Sequence, residues 1–232
     1  MGYVERFFRN PLGRGQQDRL RKAEFAIVGL GGTGGFIFEN LLRAGAERFT
    51  LFDHDRFELS NFNRQLLATE ETLDWSKTEA AVARAKSINP VARIKTREHF
   101  DASAPIGRAS LLLDGSDSVD TKIAMAALAK KKRIPYVFCS ASGTRGIVTV
   151  FEKYDFKKAF GIRMQNSKQT QNTKPKPRRA CQSIICPAAA LAGTLAASQA
   201  INIAIGKPHV RAPEALFFDL FSEKIFWRAK LG

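Results

Sequence analysis

The segment GLGGTG (29–34) places glycines at the spacing GxGxxG, directly after a short apolar run. An amphipathic stretch follows at helical spacing, so the sequence predicts a strand, a tight glycine turn and a helix. Glycines let the backbone approach a phosphate closely, and a helix N-terminus favours negative charge. Asp53 ends the next predicted strand, where a carboxylate can accept hydrogen bonds from ribose hydroxyls. Together these features predict a nucleotide-binding site, with Gly29, Gly31, Gly32 and Gly34 in its phosphate turn.

Polar and charged residues follow Asp53 at short range. Preorganised cations stabilise the charge that builds up on phosphorus during phosphoryl or nucleotidyl transfer. Arg64 and Lys77 are of this type, although each alone is equally consistent with a solvated loop. Asp117 follows the fourth predicted strand, at the edge where open α/β sheets bind ligands. Its carboxylate suits Mg²⁺, and a helix-capping aspartate is the alternative. The candidate cluster is Asn61, Arg64, Gln65, Lys77 and Asp117.

Alternating strands and helices are needed to position these residues. The pattern predicts an α/β fold, a Rossmann-like, doubly wound and mostly parallel sheet. A strand that leaves the parallel core, an Ala-rich helix and a final strand pair form a small C-terminal extension. The predicted strands are 25–29, 48–55, about 92–95, 109–117, 134–141 and 146–153, then a pair with its turn at Ser222-Glu223; the predicted helices are 78–90, 120–133 and 187–205.

The composition fits one globular domain with a basic surface. The chain has 232 residues and a net charge of +15. This length excludes a small disulfide-held scaffold, and the charge favours an anionic partner: a nucleotide, a nucleic acid or an acidic protein surface. Residues 153–180 carry nine Lys and Arg against one acid, Asp155. We divide the single domain into an N-terminal segment (1–24), a nucleotide-binding core (25–145), a basic mobile crossover loop (154–180) and a C-terminal part (181–232).

Cysteine usage and the apolar segments indicate a cytoplasmic protein. Three cysteines, Cys139, Cys181 and Cys186, do not form a disulfide framework, and no CxxC pair offers zinc spacing. The N-terminus lacks the apolar region of a signal peptide. The stretch 184–205 is Ala-rich and interrupted by polar residues, which favours a buried or docking helix over a membrane span.

In order and spacing, GLGGTG, DHDRFELSNFNRQ, the lysine of WSKTEAA and LLLDGSDSVDTK resemble the ThiF/MoeB family of ubiquitin-activating-enzyme-like adenylyltransferases. The resemblance covers about residues 6–206. It implies an enzyme that uses ATP and Mg²⁺ to adenylate the C-terminal glycine carboxylate of a ubiquitin-like (β-grasp) protein, for sulfur transfer or conjugation. It also implies a homodimer. Many members carry two CxxC pairs for structural zinc; because this chain has none, we predict no zinc.

The resemblance also implies roles for individual residues. The four glycines form the phosphate turn, Asp53 binds the ribose, and Asp117 binds the metal. RFFRN (6–10) resembles the N-terminal arginine motif of the family, so Arg9 would reach into the ATP site of the partner subunit. Cys181 is the candidate catalytic cysteine, with Cys186 as the competing position. The residues assigned to the phosphates and their surroundings are Asn61, Arg64, Gln65 and Lys77.

The implied reaction is consistent with these residue types. A terminal carboxylate is already ionised at pH 7 and needs no general base to attack the α-phosphorus. The difficulty is the approach of one anion to another, which Arg9, Arg64, Lys77 and Mg²⁺ on Asp117 would relieve. If neither Cys181 nor Cys186 reacts, the enzyme stops at the acyl-adenylate.

Three other functions are compatible with parts of the sequence. A tRNA threonylcarbamoyladenosine dehydratase of the same superfamily would use the basic charge to bind tRNA. An NAD-dependent oxidoreductase would use the glycine turn, but it leaves Arg64, Gln65, Lys77 and Asp117 unexplained. A non-catalytic nucleotide-binding scaffold would not depend on Lys77 for its cellular function.

Overall fold

A computed structural model describes residues 2–162 and 183–232. Within these ranges, eight strands form one sheet with helices on both faces. The strands are Glu24–Val28 (β1), Arg48–Phe52 (β2), Arg93–Arg97 (β3), Leu111–Asp114 (β4), Tyr136–Ser142 (β5), Arg145–Phe151 (β6), Glu214–Asp219 (β7) and Phe226–Lys230 (β8). The helices are Gly2–Phe7 (α1), Arg14–Lys22 (α2), Gly34–Ala44 (α3), Lys77–Ile88 (α4), Val119–Lys132 (α5), Phe156–Ala159 (α6) and Cys186–Ile205 (α7).

The strand order is β3-β2-β1-β4-β5-β6-β7-β8. Neighbours from β3 to β5 pair in parallel, and neighbours from β5 to β8 pair antiparallel. The central strand β4 reads LLLD and is buried along its whole length, as expected for a parallel strand covered on both faces. The predicted Rossmann-like α/β fold is therefore confirmed, and the antiparallel β6–β8 form the C-terminal extension of the sheet.

Local sequence signals set the helix boundaries around the site. Helix α4 begins at a capping box, in which the Ser76 hydroxyl accepts from the Glu79 N–H and the Glu79 carboxylate accepts from the Ser76 N–H. At the start of α5 the Ser118 hydroxyl accepts from the Thr121 N–H, which is an N-cap with a single side-chain hydrogen bond. These caps fix the chain direction directly after two of the loops that carry candidate residues.

Helix α7 packs between α3 and the antiparallel part of the sheet. It is long and apolar enough to cross a membrane by length and composition alone. Its alanines at four-residue spacing, Ala188, Ala192, Ala196 and Ala200, are fully buried. A side chain at Gly193 would meet the Thr33 carbonyl at 2.5 Å, so the backbones of α7 and of the glycine turn lie in direct contact. The apolar surface of this helix is thus used inside the protein.

The expected mobile loop over 154–180 is wrong for its first residues. Phe156 and Ala159 of α6 are buried, and the Phe156 ring lies 5.1 Å from Phe151 and 5.7 Å from Phe138. Aromatic burial outweighs the polar composition of this segment, so 154–162 belongs to the core on the α5 face of the sheet. Residues 163–180 lie outside the described part of the chain.

Three glycines bring the loops after β1 and β4 into direct backbone contact. Gly29 has φ +85°, a left-handed conformation that favours glycine. A side-chain carbon at Gly34 or at Gly115 would collide with the Gly29 carbonyl, and the one at Gly115 would also lie 2.6 Å from the Gly34 Cα. The loop that leads to Asp117 is therefore pressed onto the glycine turn.

We predict that Gly115→Ala lowers the free energy of unfolding by about 1–3 kcal/mol or more, because backbone atoms must move to admit the methyl group. Urea unfolding followed by circular dichroism measures this change. Gly15→Ala is the matched control: Gly15 lies in α2 with open space around it, and alanine there stabilises by up to about 1 kcal/mol. Equal stability of Gly115→Ala and wild type would contradict the proposed backbone contact.

Candidate nucleotide-binding site

Asp53 supports the glycine turn from the end of β2. Its Oδ2 accepts a hydrogen bond from the Leu30 N–H at 2.6 Å, and its Oδ1 accepts from the Asp55 N–H at 2.9 Å. An ionised carboxylate has about four acceptor sites, so lone pairs remain for ribose hydroxyls. The side chain both shapes the phosphate turn and presents acceptors next to it.

Lys77 is a buried cation held by a carboxylate at the surface. The lysine is 6% exposed, and its Nζ lies 2.9 Å from Oδ2 of Asp55, whose side chain is about half exposed. Lys77 is also the first residue of α4, so the positive end of that helix lies at the same place. An incoming phosphate would meet a buried cation whose present partner carboxylate lies at the surface and also contacts His54 Nε2 at 3.3 Å.

Gln65 and Arg64 lie against the glycine turn. The Gln65 amide carbon lies 3.7 Å from the position of a side-chain carbon on Gly31, and Arg64 Cγ is equally close to that of Gly32. Gln65 is 7% exposed, and its buried Oε1 accepts no hydrogen bond within the described part of the chain. The Arg64 guanidinium donates to the Ser60 carbonyl at 2.8 Å. The structure therefore brings both predicted residues to the turn.

Asn61 has a local role in this structure. Its Oδ1 accepts from the Glu58 N–H at 3.3 Å, which caps the short 3₁₀ turn Leu59–Asn61. The residue is buried, and its amide donates to the Ser60 hydroxyl at 3.2 Å. The observed contacts of Asn61 thus support the loop that carries Arg64 and Gln65.

Asp117 lies at the surface on the loop that Gly115 presses onto the glycine turn. Among the described residues its carboxylate makes no hydrogen bond or ion pair. Mg²⁺ is usually held by one or two carboxylates together with substrate phosphates and water, so an unpaired carboxylate next to a phosphate turn fits this ion. Asp53, His54 and Asp55, at and directly after the end of β2, also offer potential metal-ligand atoms that lie within 4.8 Å of one another.

A buried ion pair beneath the Asp117 loop was missed by the sequence analysis. Asp114 is fully buried, and its Oδ2 accepts from Lys122 Nζ at 2.8 Å and from the Tyr136 hydroxyl at 2.6 Å. Lys122 also donates to the Ser116 carbonyl at 2.8 Å, and the Ser116 hydroxyl donates back to Asp114. The network fixes both ends of residues 114–116. A charged residue at the end of an apolar strand, followed by a lysine in the next helix, was its only sequence signal.

Burial dominates the protonation of the groups around this pair. It raises the pKa of Tyr136 well above its usual value, and the Asp114 carboxylate raises it further. Burial, again with Asp114, raises the pKa of Cys139 to about 12. Both groups are therefore neutral at physiological pH.

Arg9 lies at the far end of α3 from the glycine turn. The neighbouring Asn10 donates to the carbonyl of Ala44, the last residue of α3, at 2.9 Å, whereas the turn adjoins Gly34, the first. The helix has 11 residues and spans about 16 Å. Within one protomer the structure therefore does not bring Arg9 to the other candidate residues.

Of the two candidate cysteines, the structure describes only Cys186. Cys181 lies outside the described residues. Cys186 is exposed and is the first residue of α7. Ala189, one turn later, lies 3.5 Å from the position of a side-chain carbon on Gly32, so the start of α7 borders the phosphate turn.

The fold is that of a Rossmann-type α/β protein, and the candidate nucleotide-binding residues lie at the carboxyl edge of its parallel strands. The chain belongs to the ThiF family, whose pattern it matches over residues 5–231. It is 29% identical over 214 residues to a sulfur carrier protein adenylyltransferase of Thermus thermophilus, covering 88% of this chain and 77% of that protein. It is 32% identical over 145 residues to a tRNA threonylcarbamoyladenosine dehydratase of Haemophilus influenzae, covering 60% of this chain and 56% of that enzyme.

The alignments with the dehydratases of Haemophilus influenzae, Bacillus subtilis and Escherichia coli span 56%, 64% and 47% of those proteins. Solved structures support the fold. PaaA superposes with a TM-score of 0.76 and 21% identity over 98% of this chain and 73% of PaaA. MccB of E. coli in complex with ATP gives a TM-score of 0.77 and 17% identity over 94% of this chain and 66% of MccB.

We predict that Lys122→Ala lowers the free energy of unfolding by about 3–5 kcal/mol, because it leaves the Asp114 carboxylate buried without its counter-charge. Urea unfolding measures the loss. Lys131→Ala, on an exposed position of the same helix, is the control and should change stability by less than about 0.5 kcal/mol. A cost for Lys122→Ala no larger than that of the control would refute the stabilising role of the pair.

Proposed function

We propose that this protein is an ATP- and Mg²⁺-dependent adenylyltransferase that activates a carboxylate. The observation that carries the proposal is the contact of Gly115 with the glycine turn, which places the Asp117 loop beside the phosphate turn. Asp53, Arg64 and Lys77 lie around the same turn. Membership of the ThiF family supports this assignment, and so does the adenylyltransferase of Thermus thermophilus, with which the chain aligns over most of its length.

Each side chain would have a distinct part in the reaction. The acceptor carboxylate attacks the α-phosphorus of ATP, the bond to the β-phosphate oxygen breaks, and pyrophosphate leaves. Asp53 binds the ribose, while Arg64 and Lys77 bind the polyphosphate and offset its charge. Asp117 would hold Mg²⁺, which, when bound, neutralises charge on the phosphates. No side chain has to remove a proton, because the attacking carboxylate is already ionised.

The Lys77–Asp55 pair supports a role in phosphate binding. A buried lysine needs a counter-charge, and the half-exposed Asp55 supplies one before the nucleotide arrives. Asp55 is about half exposed and also lies 3.3 Å from His54 Nε2, so its carboxylate keeps solvent and a partner when a phosphate oxygen replaces it on Lys77. The ammonium group is thereby held in position before the nucleotide binds, so it has to move little during the reaction.

The first candidate acceptor is the C-terminal glycine of a ubiquitin-like (β-grasp) protein. Its support is the relative named as a sulfur carrier protein adenylyltransferase, which aligns with 88% of this chain. An acidic partner would suit a net charge of +15. We propose Cys181 as the residue that would accept the activated group, with Cys186 at the start of α7 as its competitor.

The second candidate acceptor is the carboxylate of threonylcarbamoyladenosine in tRNA. Dehydratases with this substrate in their names, from three bacteria, are 29–32% identical to the chain over 126–163 residues. The strong positive charge favours a nucleic acid.

We also propose a cytoplasmic homodimer in which Arg9 completes the ATP site of the partner subunit. Arg9 lies about one helix length from the glycine turn of its own protomer, which supports a contribution in trans. The family resemblance of RFFRN (6–10) points to the same arrangement.

We predict that Asp117→Ala lowers ATP–pyrophosphate exchange at least about 100-fold, because the metal loses its protein ligand. Exchange is measured with purified protein and two acceptors in parallel: a β-grasp protein ending in Gly-Gly, and tRNA carrying threonylcarbamoyladenosine. The acceptor that supports exchange identifies the substrate class.

Asp120→Ala is the matched control, since Asp120 is an exposed aspartate in the first turn of α5. It should keep exchange within about twofold of wild type, because its side chain is not among those assigned to the site. No exchange with either acceptor, in a protein shown to bind ATP, would count against the proposed reaction.

A further inference from the structure

The edge strand β3 presents three cations on one face. Its sequence is RIKTR, and Arg93, Lys95 and Arg97 are all exposed. Alternate residues of a strand point to opposite faces, and Ile94 packs into the core on the α3 and α4 side. The three cations therefore lie together on the opposite face, at intervals of about 6.6 Å along the strand.

The neighbouring strand extends this surface. Arg48 of β2 is opposite Arg93 in the parallel register, so its side chain is on the same face. We call Arg48, Arg93, Lys95 and Arg97 the basic stripe. Within the described residues, the only ion pair of 4 Å or less in the stripe is that of Arg48 with Glu24, at 3.6 Å.

The charges of the stripe are only partly offset by nearby acids. Glu47 lies near Arg48 and Arg93; burial raises its pKa, and the arginines oppose that rise. The Arg97 guanidinium donates to the Thr96 carbonyl at 3.0 Å and has no carboxylate partner in the described chain. The four cations of the basic stripe outnumber the two nearby acids, Glu24 and Glu47, so this surface carries a net positive charge.

The basic stripe ends at the nucleotide site. The Asp53 N–H donates to the Arg97 carbonyl at 3.1 Å, so the backbone at the end of β3 adjoins the residue whose carboxylate supports the glycine turn. A polyanion lying along β3 would thus run toward the edge of the sheet where Arg64, Lys77 and Asp117 lie.

We propose that the basic stripe binds the phosphate backbone of an RNA strand. Cations repeated at regular intervals along an exposed strand can each contact a different phosphate of an extended chain. A protein partner fits less well, because the centres of protein interfaces are depleted in charged residues, whereas three of the five residues of β3 are exposed cations. If the protein adenylates a carboxylate carried by RNA, this surface would deliver that RNA to the site, and this role rests on the proposed function. The proposal that the stripe binds RNA does not depend on it.

The test is RNA binding by the triple variant Arg93→Ala, Lys95→Ala and Arg97→Ala. Fluorescence polarisation of a labelled oligouridine and of an unmodified tRNA is measured without ATP, over a series of NaCl concentrations. We expect affinity to fall at least about tenfold at low salt, and the slope of log K against log salt to become less negative by about 2. The single Lys95→Gln change should shift this slope by about 0.7.

Two triple variants with the same loss of charge serve as controls. Lys224, Arg228 and Lys230 lie at the opposite edge of the sheet, in or next to β8. Lys174, Lys176 and Arg178 lie in the basic segment outside the described residues. Their alanine variants should keep most of the RNA affinity. An equal loss in all three triples would overturn the proposal in favour of non-specific charge, and a loss confined to the 174–178 triple would assign the binding to that segment.

Failure of this proposal is distinguishable from failure of the proposed function. Circular dichroism and ATP binding confirm that each variant is folded. RNA binding lost in the stripe triple supports the proposal even in a protein without pyrophosphate exchange. Unchanged RNA binding overturns it even in an active adenylyltransferase. Loss of binding to an acidic β-grasp protein, with RNA affinity intact, would overturn it in favour of a protein partner.

Discussion

The contact among Gly29, Gly34 and Gly115 is the constraint on which the site depends. It brings the loop after β4 onto the turn after β1 without any side chain between them. Because a single added carbon collides with backbone at Gly34 and at Gly115, the distance between the phosphate turn and the Asp117 loop is set by packing. This close approach holds the candidate nucleotide-binding loops in place, and α7 reinforces it by packing Gly193 against Thr33.

Charged side chains, several of them buried, hold the backbone around the candidate site in place. The Asp114–Lys122 pair fixes the start of the Asp117 loop, and Asp53 holds the backbone of the glycine turn. Lys77 Nζ donates to the Asp55 carboxylate, and in the proposed mechanism a phosphate oxygen would replace that carboxylate as its partner. These interactions are costly to form because the charges lose water, yet each is satisfied by a partner at hydrogen-bond distance. This desolvation penalty falls at the place where an anionic ligand would bind.

The order of elements and the core of the site were predictable, whereas the buried contacts were not. Apolar periodicity and the glycine spacing place β1, α3 and Asp53 correctly, because these signals are local. Asp114 and Lys122 were missed because their pairing depends on burial across a loop. The packing of Phe156 was missed because the polar composition of the surrounding segment predicts a loop, whereas this one aromatic side chain is buried. The distance between Arg9 and the glycine turn of the same protomer was also missed. It follows from the packing of α1 near the C-terminal end of α3, which no local sequence pattern encodes.

The central claim is that a nucleotide binds on the glycine turn, beside the Asp117 loop. The most direct measurement is a crystal structure of the protein with a non-hydrolysable ATP analogue and Mg²⁺. The account predicts phosphates within hydrogen-bond distance of the glycine-turn N–H groups, the ribose on Asp53, and Lys77 Nζ moved from Asp55 to a phosphate oxygen. A nucleotide bound elsewhere, or one at the turn with Lys77 still paired to Asp55, would contradict it.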